Sequence, residues 1–179
     1  MPADLSQLVP AFATKVQQLL DNCNQRNVIM RPYFSIRDPF TQGKFWRQSR
    51  SAEEIQKKIA DLKSKGADFL AFCIESVGPQ SGPPITNAIP GLSWHQWGEA
   101  VDCMWVVNGQ SEWSTTKKVN GQNGYAVYAE EANKLDLTPG GLWKKLKDWP
   151  HVQLRPAASP EGDFTLQQID STMKEKFGH

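Results

Sequence analysis

The chain has 179 residues with 20 basic and 19 acidic side chains, which give a formal net charge of +1. A charge balance this close to zero argues against a protein that binds nucleic acid by neutralising phosphates. The length suffices for one domain with its own core, and no apolar run is long enough to span a membrane. We therefore expect one catalytic domain over residues 1–179, with residues 156–179 as a C-terminal extension.

The chain predicts a mixture of helices and strands. Residues 4–24 carry apolar side chains at helical spacing, which predicts a helix that packs on the core. A capping box of Ser51 and Glu54 opens a second helix, which should end at Gly66. The other predicted elements, in chain order, are a strand over 28–36, an apolar run at 69–77 that fits either a helix or a strand, a loop over 78–91, a buried strand over 100–107, a polar loop over 108–124, a helix over 125–135, a strand over 152–154 with His151 at its start, a linker over 155–162 and a short terminal helix.

Several classes of chemistry are not indicated by the sequence. Cys23, Cys73 and Cys103 form an odd set without C-x-x-C spacing, so no disulfide framework is predicted. The cysteines lie in apolar runs, which raise the pKa of a thiol and argue against cysteine catalysis. If its strand is extended, Cys103 should point to the opposite face from Asp102. The sequence also lacks a phosphate-binding loop, a dinucleotide fingerprint, a serine-hydrolase elbow and an H-E-x-x-H helix.

Two short segments combine histidines with carboxylates. They read Ser-Trp-His-Gln-Trp-Gly-Glu-Ala-Val-Asp at residues 93–102 and Asp-Trp-Pro-His at residues 148–151. A catalytic zinc ion usually has three protein ligands and an open position for water, and His95, Asp102 and His151 would supply the three. Asp102 interrupts an apolar strand, where an unpaired charge is costly and a metal ion would be a suitable partner. Asp148, three residues before His151, would then handle protons.

Each of these residues also has an ordinary structural interpretation. A lone histidine is more often a hydrogen-bonded structural residue than a ligand, and Asp148 lies close to three lysines in sequence. The structural interpretation weakens when two histidines occur together with two carboxylates. The spacing of seven between His95 and Asp102 does not fit one helical face, so it suits a loop that leads into a strand. Gly98 would let the backbone turn or approach closely between these two ligands.

With these residues the chain resembles the M15 family of zinc peptidases, which includes D-alanyl-D-alanine carboxypeptidases and L-alanyl-D-glutamate endopeptidases of peptidoglycan. The family's S-x-H-x-x-G-x-A-x-D segment is matched by Ser93, His95, Gly98, Ala100 and Asp102. Its acidic residue before the final histidine is matched by Asp148 and His151, most closely in the endopeptidase and phage-endolysin branch. Weaker upstream matches extend the resemblance over residues 28–155, at Tyr33 to Arg37, Gln48 to Arg50, Thr86 to Ala88 and Pro90-Gly91.

The resemblance implies an α+β fold of the hedgehog/DD-peptidase-like type, with a central antiparallel sheet, helices packed on one side and one Zn²⁺ per chain. It also implies that Arg37 steadies a substrate carboxylate or the developing oxyanion, and a guanidinium group binds carboxylates in a bidentate fork. The alternative for Arg37 is an ordinary surface pair with Asp38. Further substrate contacts are expected at Ser93, Gln48, Arg50, Thr86, Trp97 and Trp149, although core packing explains the tryptophans equally well.

The expected function is hydrolysis of a stem-peptide bond in peptidoglycan, with the L-Ala-D-Glu bond as the first choice. The alternatives are a D-Ala-D-Ala carboxypeptidase and a non-catalytic, zinc-containing module that binds the cell wall. We expect a monomer that neither binds nucleic acid nor inserts into a membrane. The N-terminus lacks the features of a secretory signal, so the protein would be made in the cytoplasm and would reach the wall after release or by another route.

Overall fold

The computed structural model describes residues 3–178. Its elements, in chain order, are α1 (Pro10–Gln25), β1 (Ile29–Phe34), α2 (Pro39–Arg47), α3 (Ala52–Ser64), α4 (Asp68–Glu75), α5 (Trp94–Trp97), β2 (Ala100–Val107), β3 (Gln110–Glu112), α6 (Gly124–Lys134), β4 (Thr138–Pro139), β5 (His151–Gln153) and α7 (Leu166–Phe177). Short 3-10 turns lie at Leu5–Gln7, Gly140–Leu142 and Pro160–Gly162. Between residues 3 and 178, no helix combines the length and the apolar character that crossing a bilayer requires.

The chain divides into two compact units, and each unit is formed by two separate segments. The first unit contains the residues up to Ile36 together with Trp97–Pro156. The second contains Arg37–Gln96 together with the residues from Ala157 onwards. The segment that we expected to be an extension therefore packs within the second unit. That the whole chain acts as one catalytic domain stays a prediction.

The first unit is built on a five-stranded antiparallel sheet with the strand order β1-β2-β5-β4, in which β3 also pairs with β2. Helices α1 and α6 pack against each other and against β1. On β2, Val101, Cys103 and Trp105 are buried in the apolar core, whereas Asp102 between them is only partly buried. Alternate side chains of a strand point to opposite faces, so Asp102 and Cys103 are separated as expected. The predicted α+β class with an antiparallel sheet is confirmed.

The second unit is helical. Helix α4 contacts α2, α3 and α7. The predicted capping box at the start of α3 is confirmed, because Ser51 Oγ accepts a hydrogen bond from the Glu54 amide and the Glu54 carboxylate accepts one from the Ser51 amide. Helix α4 has no side-chain cap of its own, and Asp170 of α7 accepts a hydrogen bond of 2.9 Å from its Leu70 amide. The C-terminal helix thus satisfies the N-terminus of α4.

Three elements differ from the sequence-based expectations. Most of the undecided run at 69–77 lies in helix α4, which begins at Asp68 and ends at Glu75. Helix α2 was not predicted, because Pro39 was interpreted only as the end of the preceding strand; Pro39 is the first helical residue, and the Asp38 carboxylate caps the helix. The polar loop predicted for 108–124 contains β3, which forms a hairpin with β2 through Asn108 and Gly109. Both turn residues have positive φ, at 51° and 79°, as a type I′ hairpin requires.

Candidate metal centre

Two of the three predicted ligands face each other across the sheet of the first unit. Asp102 on β2 is directly opposite His151 on β5 in the antiparallel register. The Nδ1 atom of His151 lies 3.0 Å from Oδ1 of Asp102. Neighbouring residue pairs join β2 and β5 and fix both backbones. The two side chains are therefore positioned by the hydrogen-bonded ladder rather than by a flexible loop.

The third predicted ligand, His95, is a buried residue on the short helix α5. The chain passes from α5 into β2 through Gly98, whose φ of +73° is unfavourable for a residue with a Cβ atom. A Cβ atom at this position would also lie 3.0 Å from the carbonyl oxygen of Gln7. The turn that leads from His95 to Asp102 therefore depends on glycine.

One ligand atom each from His95, Asp102 and His151 lies within 4.8 Å of the other two. The structure thus brings the three predicted ligands together into a cluster that could bind a metal ion. Two imidazoles and one carboxylate are a donor set that suits zinc and other first-row divalent metals.

The surroundings of His151 test whether a cation fits this cluster. The Nε2 atom of His151 lies 3.0 Å from Oε1 of Gln153, and the Gln153 amide nitrogen donates to the Arg155 carbonyl at 2.7 Å. Gln153 therefore offers His151 its acceptor oxygen, while Asp102 offers a carboxylate to the other ring nitrogen. A neutral imidazole carries only one N–H and cannot donate to both. A cation between Nδ1 and Asp102, either a second proton or a metal ion, resolves the conflict.

The electrostatics of His151 agree with this geometry. Burial of the ring lowers the pKa of His151, but the hydrogen bond and charge of Asp102, helped by Gln153 and the charge of Asp148, outweigh burial and hold the pKa above its usual value. The environment therefore favours a positive charge at this position. A metal ion supplies that charge while the imidazole itself stays neutral.

The predicted base, Asp148, occupies a tight turn with His151. The His151 amide donates to the Asp148 carbonyl at 3.2 Å, and the Asp148 amide donates to the Gly140 carbonyl at 3.1 Å. A Cβ atom on Gly140 would lie 2.3 Å from the Asp148 carbonyl oxygen, so this close approach needs glycine. Asp148 is exposed to solvent. Its nearest lysine in sequence, Lys147, donates to the Gly141 carbonyl at 2.8 Å and lies over the Trp149 ring.

Tyr33 on β1 belongs to the same region of the first unit, although sequence analysis gave it no role. Burial raises the pKa of the Tyr33 hydroxyl, and the charges of Asp102 and Asp148 raise it further. The hydroxyl therefore keeps its proton and can donate a hydrogen bond. Its ring contacts Trp113 edge to face, with the ring centroids 5.5 Å apart. The only sequence signal for Tyr33 was its place at the start of the weak upstream match.

Arg37, in the second unit, is held by a buried amide. Its Nη1 donates to Oε1 of Gln42 at 2.9 Å, and its guanidinium lies over the Phe45 ring. The Gln42 side chain is fully buried and donates to the Ala88 carbonyl at 2.6 Å. Asp38, the alternative partner of Arg37, accepts hydrogen bonds from the amides of α2 instead. Sequence analysis missed Gln42, because a single glutamine in an unpredicted helix carries no recognisable pattern.

The remaining predicted substrate contacts are dispersed over both units. Arg50 stacks on the Trp46 ring and donates to the Thr86 carbonyl at 3.2 Å, so it orders the loop that carries Thr86. Gln48 lies at the C-terminal end of α2, and the Ser93 carbonyl accepts from the Gln96 amide in α5. Trp97 and Trp149 are both partly buried, and the Trp149 ring packs on Gly141. A contact of these residues with substrate stays a prediction.

The sequence argued against cysteine catalysis. All three are buried free thiols. Burial raises the pKa of both Cys23 and Cys73 to about 12, so the thiols are protonated at neutral pH. This agrees with the expectation that the cysteines are not nucleophiles.

Parts of this chain are similar to known peptidases. Residues 86–154 match the family Peptidase M15, described as D-alanyl-D-alanine carboxypeptidase. The chain is 31% identical over 80 residues to the peptidoglycan L-alanyl-D-glutamate endopeptidase CwlK of Bacillus subtilis, which covers 43% of this chain and 48% of CwlK. The matched stretch thus spans about half the length of that curated relative. A solved structure, the L-Ala D-Glu endopeptidase ChiX of Serratia marcescens, aligns with a TM-score of 0.43 and 18% identity, covering 84% of this chain and 83% of that one.

Proposed function

We propose that this protein is a zinc-dependent peptidase that cleaves the L-Ala-D-Glu bond of peptidoglycan stem peptides, since its residues 86–154 match the Peptidase M15 family. The observation that carries the proposal is the cluster of His95, Asp102 and His151, within 4.8 Å of one another. The similarity to CwlK, an L-alanyl-D-glutamate endopeptidase, supports the choice of bond.

Asp148 is suited to proton transfer. Asp148 is exposed to water. A backbone hydrogen bond joins it to His151, one of the proposed metal ligands, within one turn. A zinc ion held by the cluster would act as a Lewis acid that polarises the scissile carbonyl and makes water a better nucleophile. Asp148 would accept the proton of the attacking water and return it to the leaving amine nitrogen.

Two further residues would bind and orient the stem peptide. Arg37 would hold a substrate carboxylate, since its guanidinium is always charged and Gln42 and Phe45 restrict its orientation. Tyr33 would donate a hydrogen bond to a substrate oxygen, because its environment keeps the hydroxyl protonated. Both groups would hold the peptide so that its scissile bond lies in the geometry that the reaction requires.

The proposal is tested by digestion of purified cell-wall sacculi with zinc-loaded protein, followed by mass analysis of the released fragments. We expect new peptides that begin with D-glutamate. The Asp148→Asn variant is the matched control, because it should keep the metal and release almost nothing. Intact sacculi after treatment with the zinc-loaded wild type would refute the proposed activity.

A second candidate function is D-Ala-D-Ala carboxypeptidase activity, which the description of the matching family favours. The same digest distinguishes the two, because a carboxypeptidase releases single D-alanine residues and leaves every L-Ala-D-Glu bond intact. A protein that sediments with sacculi but releases nothing would instead be a wall-binding module.

A further inference from the structure

We propose that Gln153 is a positioning residue of the metal centre that selects the tautomer of His151, so that Nε2 carries the hydrogen and Nδ1 is presented to the metal. This inference rests on the proposed zinc site. Gln153 was not singled out by the sequence, and its side chain is almost completely buried.

The first step is the orientation of the Gln153 amide. Its nitrogen donates to the Arg155 carbonyl at 2.7 Å, and a carbonyl oxygen can only accept. The amide oxygen must therefore be the atom that faces His151 Nε2, 3.0 Å away. An amide oxygen also only accepts, so the hydrogen of the neutral ring belongs on Nε2.

The second step is the consequence for the other ring nitrogen. With the hydrogen on Nε2, the lone pair of Nδ1 points towards the Asp102 carboxylate 3.0 Å away. Both groups are then available to a single cation. Histidine ligands in metal sites generally donate their second ring N–H to a fixed acceptor, which sets the tautomer and the ring orientation.

The third step is what keeps Gln153 in place. Gln153 lies on β5 opposite Ala100, so the ladder fixes its backbone. Arg155, whose carbonyl anchors the amide, forms a two-point ion pair with the buried carboxylate of Glu99, with Nε 2.7 Å from Oε2 and Nη2 3.2 Å from Oε1. The Leu154 amide donates to the Glu99 carbonyl at 2.9 Å. This arrangement holds the acceptor still, and Trp143 packs against the His151 ring at a centroid distance of 5.3 Å.

Two variants separate tautomer selection from simple packing. Gln153→Leu removes both the acceptor for His151 and the donor to Arg155, whereas Gln153→Glu keeps an acceptor for His151, loses the donor and adds a negative charge. We expect Gln153→Leu to weaken zinc binding by about 10- to 100-fold in chelator competition, as the loss of an outer partner of a histidine ligand does. Gln153→Glu should stay within a few-fold of wild type. Equal losses in both variants, or no loss in Gln153→Leu, would overturn the proposal.

The wild type provides a test that does not depend on how the variants fold. In zinc-loaded protein labelled with ¹⁵N at histidine, long-range nitrogen–proton correlations should show His151 with the hydrogen on Nε2. A hydrogen on Nδ1, with the metal on Nε2, would overturn the role of Gln153 while leaving the zinc site intact. Failure of the wild type to bind zinc at all would instead overturn the proposed function.

Discussion

Two carboxylates that are shielded from solvent, one in each unit, have different partners and therefore different roles: Asp170 is buried, and Asp102 is partly buried. Asp170 in the second unit accepts a hydrogen bond from the backbone amide of Leu70, at the N-terminus of α4. Asp102 in the first unit instead faces the Nδ1 atom of His151, whose other nitrogen also faces an acceptor. The backbone of α4 supplies the partner of Asp170, whereas Asp102 and His151 belong to a cluster that could hold a metal ion. Burial of a carboxylate therefore does not identify a functional site, but the chemistry of its partner does.

Aspartate-to-asparagine substitution should weaken zinc binding at Asp102 but not at Asp170. Asp102→Asn removes the charge that binds the cation, so we expect zinc affinity to fall by more than about 100-fold, beyond the loss caused by changing an outer partner of a ligand. Peptidase activity should fall to background. Asp170→Asn keeps an acceptor oxygen and should bind zinc as wild type does. Chelator competition on both variants checks the comparison, and similar affinities for zinc would contradict it.

Asp148→Asn should separate proton transfer from metal binding within the first unit. The variant keeps the turn with His151 but loses the basic oxygen, so we expect kcat to fall by about 10²- to 10⁴-fold. Zinc content by elemental analysis should be unchanged, in contrast to Asp102→Asn. If Asp148→Asn retains full activity, the proton must be handled by another residue.

The residues of the site that could be predicted from the sequence are those that belong to recognisable local sequence patterns. Asp102 stood out as a charge within an apolar strand, and β2 has the predicted bounds. Asp148 and His151 belong to one turn, so their spacing of three is visible in the chain. These features depend on neighbouring residues, which the sequence displays directly.

The part that could not be predicted depends on tertiary contacts between residues distant in the chain. Gln42 reaches Ala88, 46 residues away, and Asp170 reaches Leu70, 100 residues away. Nothing in the local sequence of a glutamine or an aspartate reveals such a partner. Helix α2 was missed for a related reason, since one proline can end a strand and also begin a helix. Gln153 is only two residues from His151, but its role depends on the amide orientation that Arg155 imposes.

Asp170→Ala should lower stability without affecting the metal. The variant removes the acceptor for the Leu70 amide, and the loss of a helix cap costs about 0.5–2 kcal/mol of the free energy of unfolding. Asp170→Asn is the matched control, because it can still accept that hydrogen bond and should lose less. Urea denaturation of metal-free protein measures both values. A change in zinc affinity in Asp170→Ala would show that the second unit's carboxylate is not purely structural.

The dependence of zinc binding on pH tests the role of His151 without any substitution. The pKa of His151 is raised in the folded protein, so in the absence of metal its protonation stabilises the fold below about pH 6.5, and this contribution is lost as the pH rises through the folded pKa. Zinc binds only the neutral imidazole ring. The stabilisation of the fold by bound zinc therefore increases as the pH rises, by up to about 1.4 kcal/mol per pH unit for each proton displaced.

The difference in Tm between zinc-loaded and metal-free protein should therefore widen as the pH is raised from about 5.5 to about 8, where His151 changes from protonated to neutral. Asp170→Asn should show the same widening as wild type, because its carboxylate does not contact the cation. A difference in Tm that stays constant across this range would mean that zinc displaces no proton from His151, and the cation would then have to be held without this imidazole.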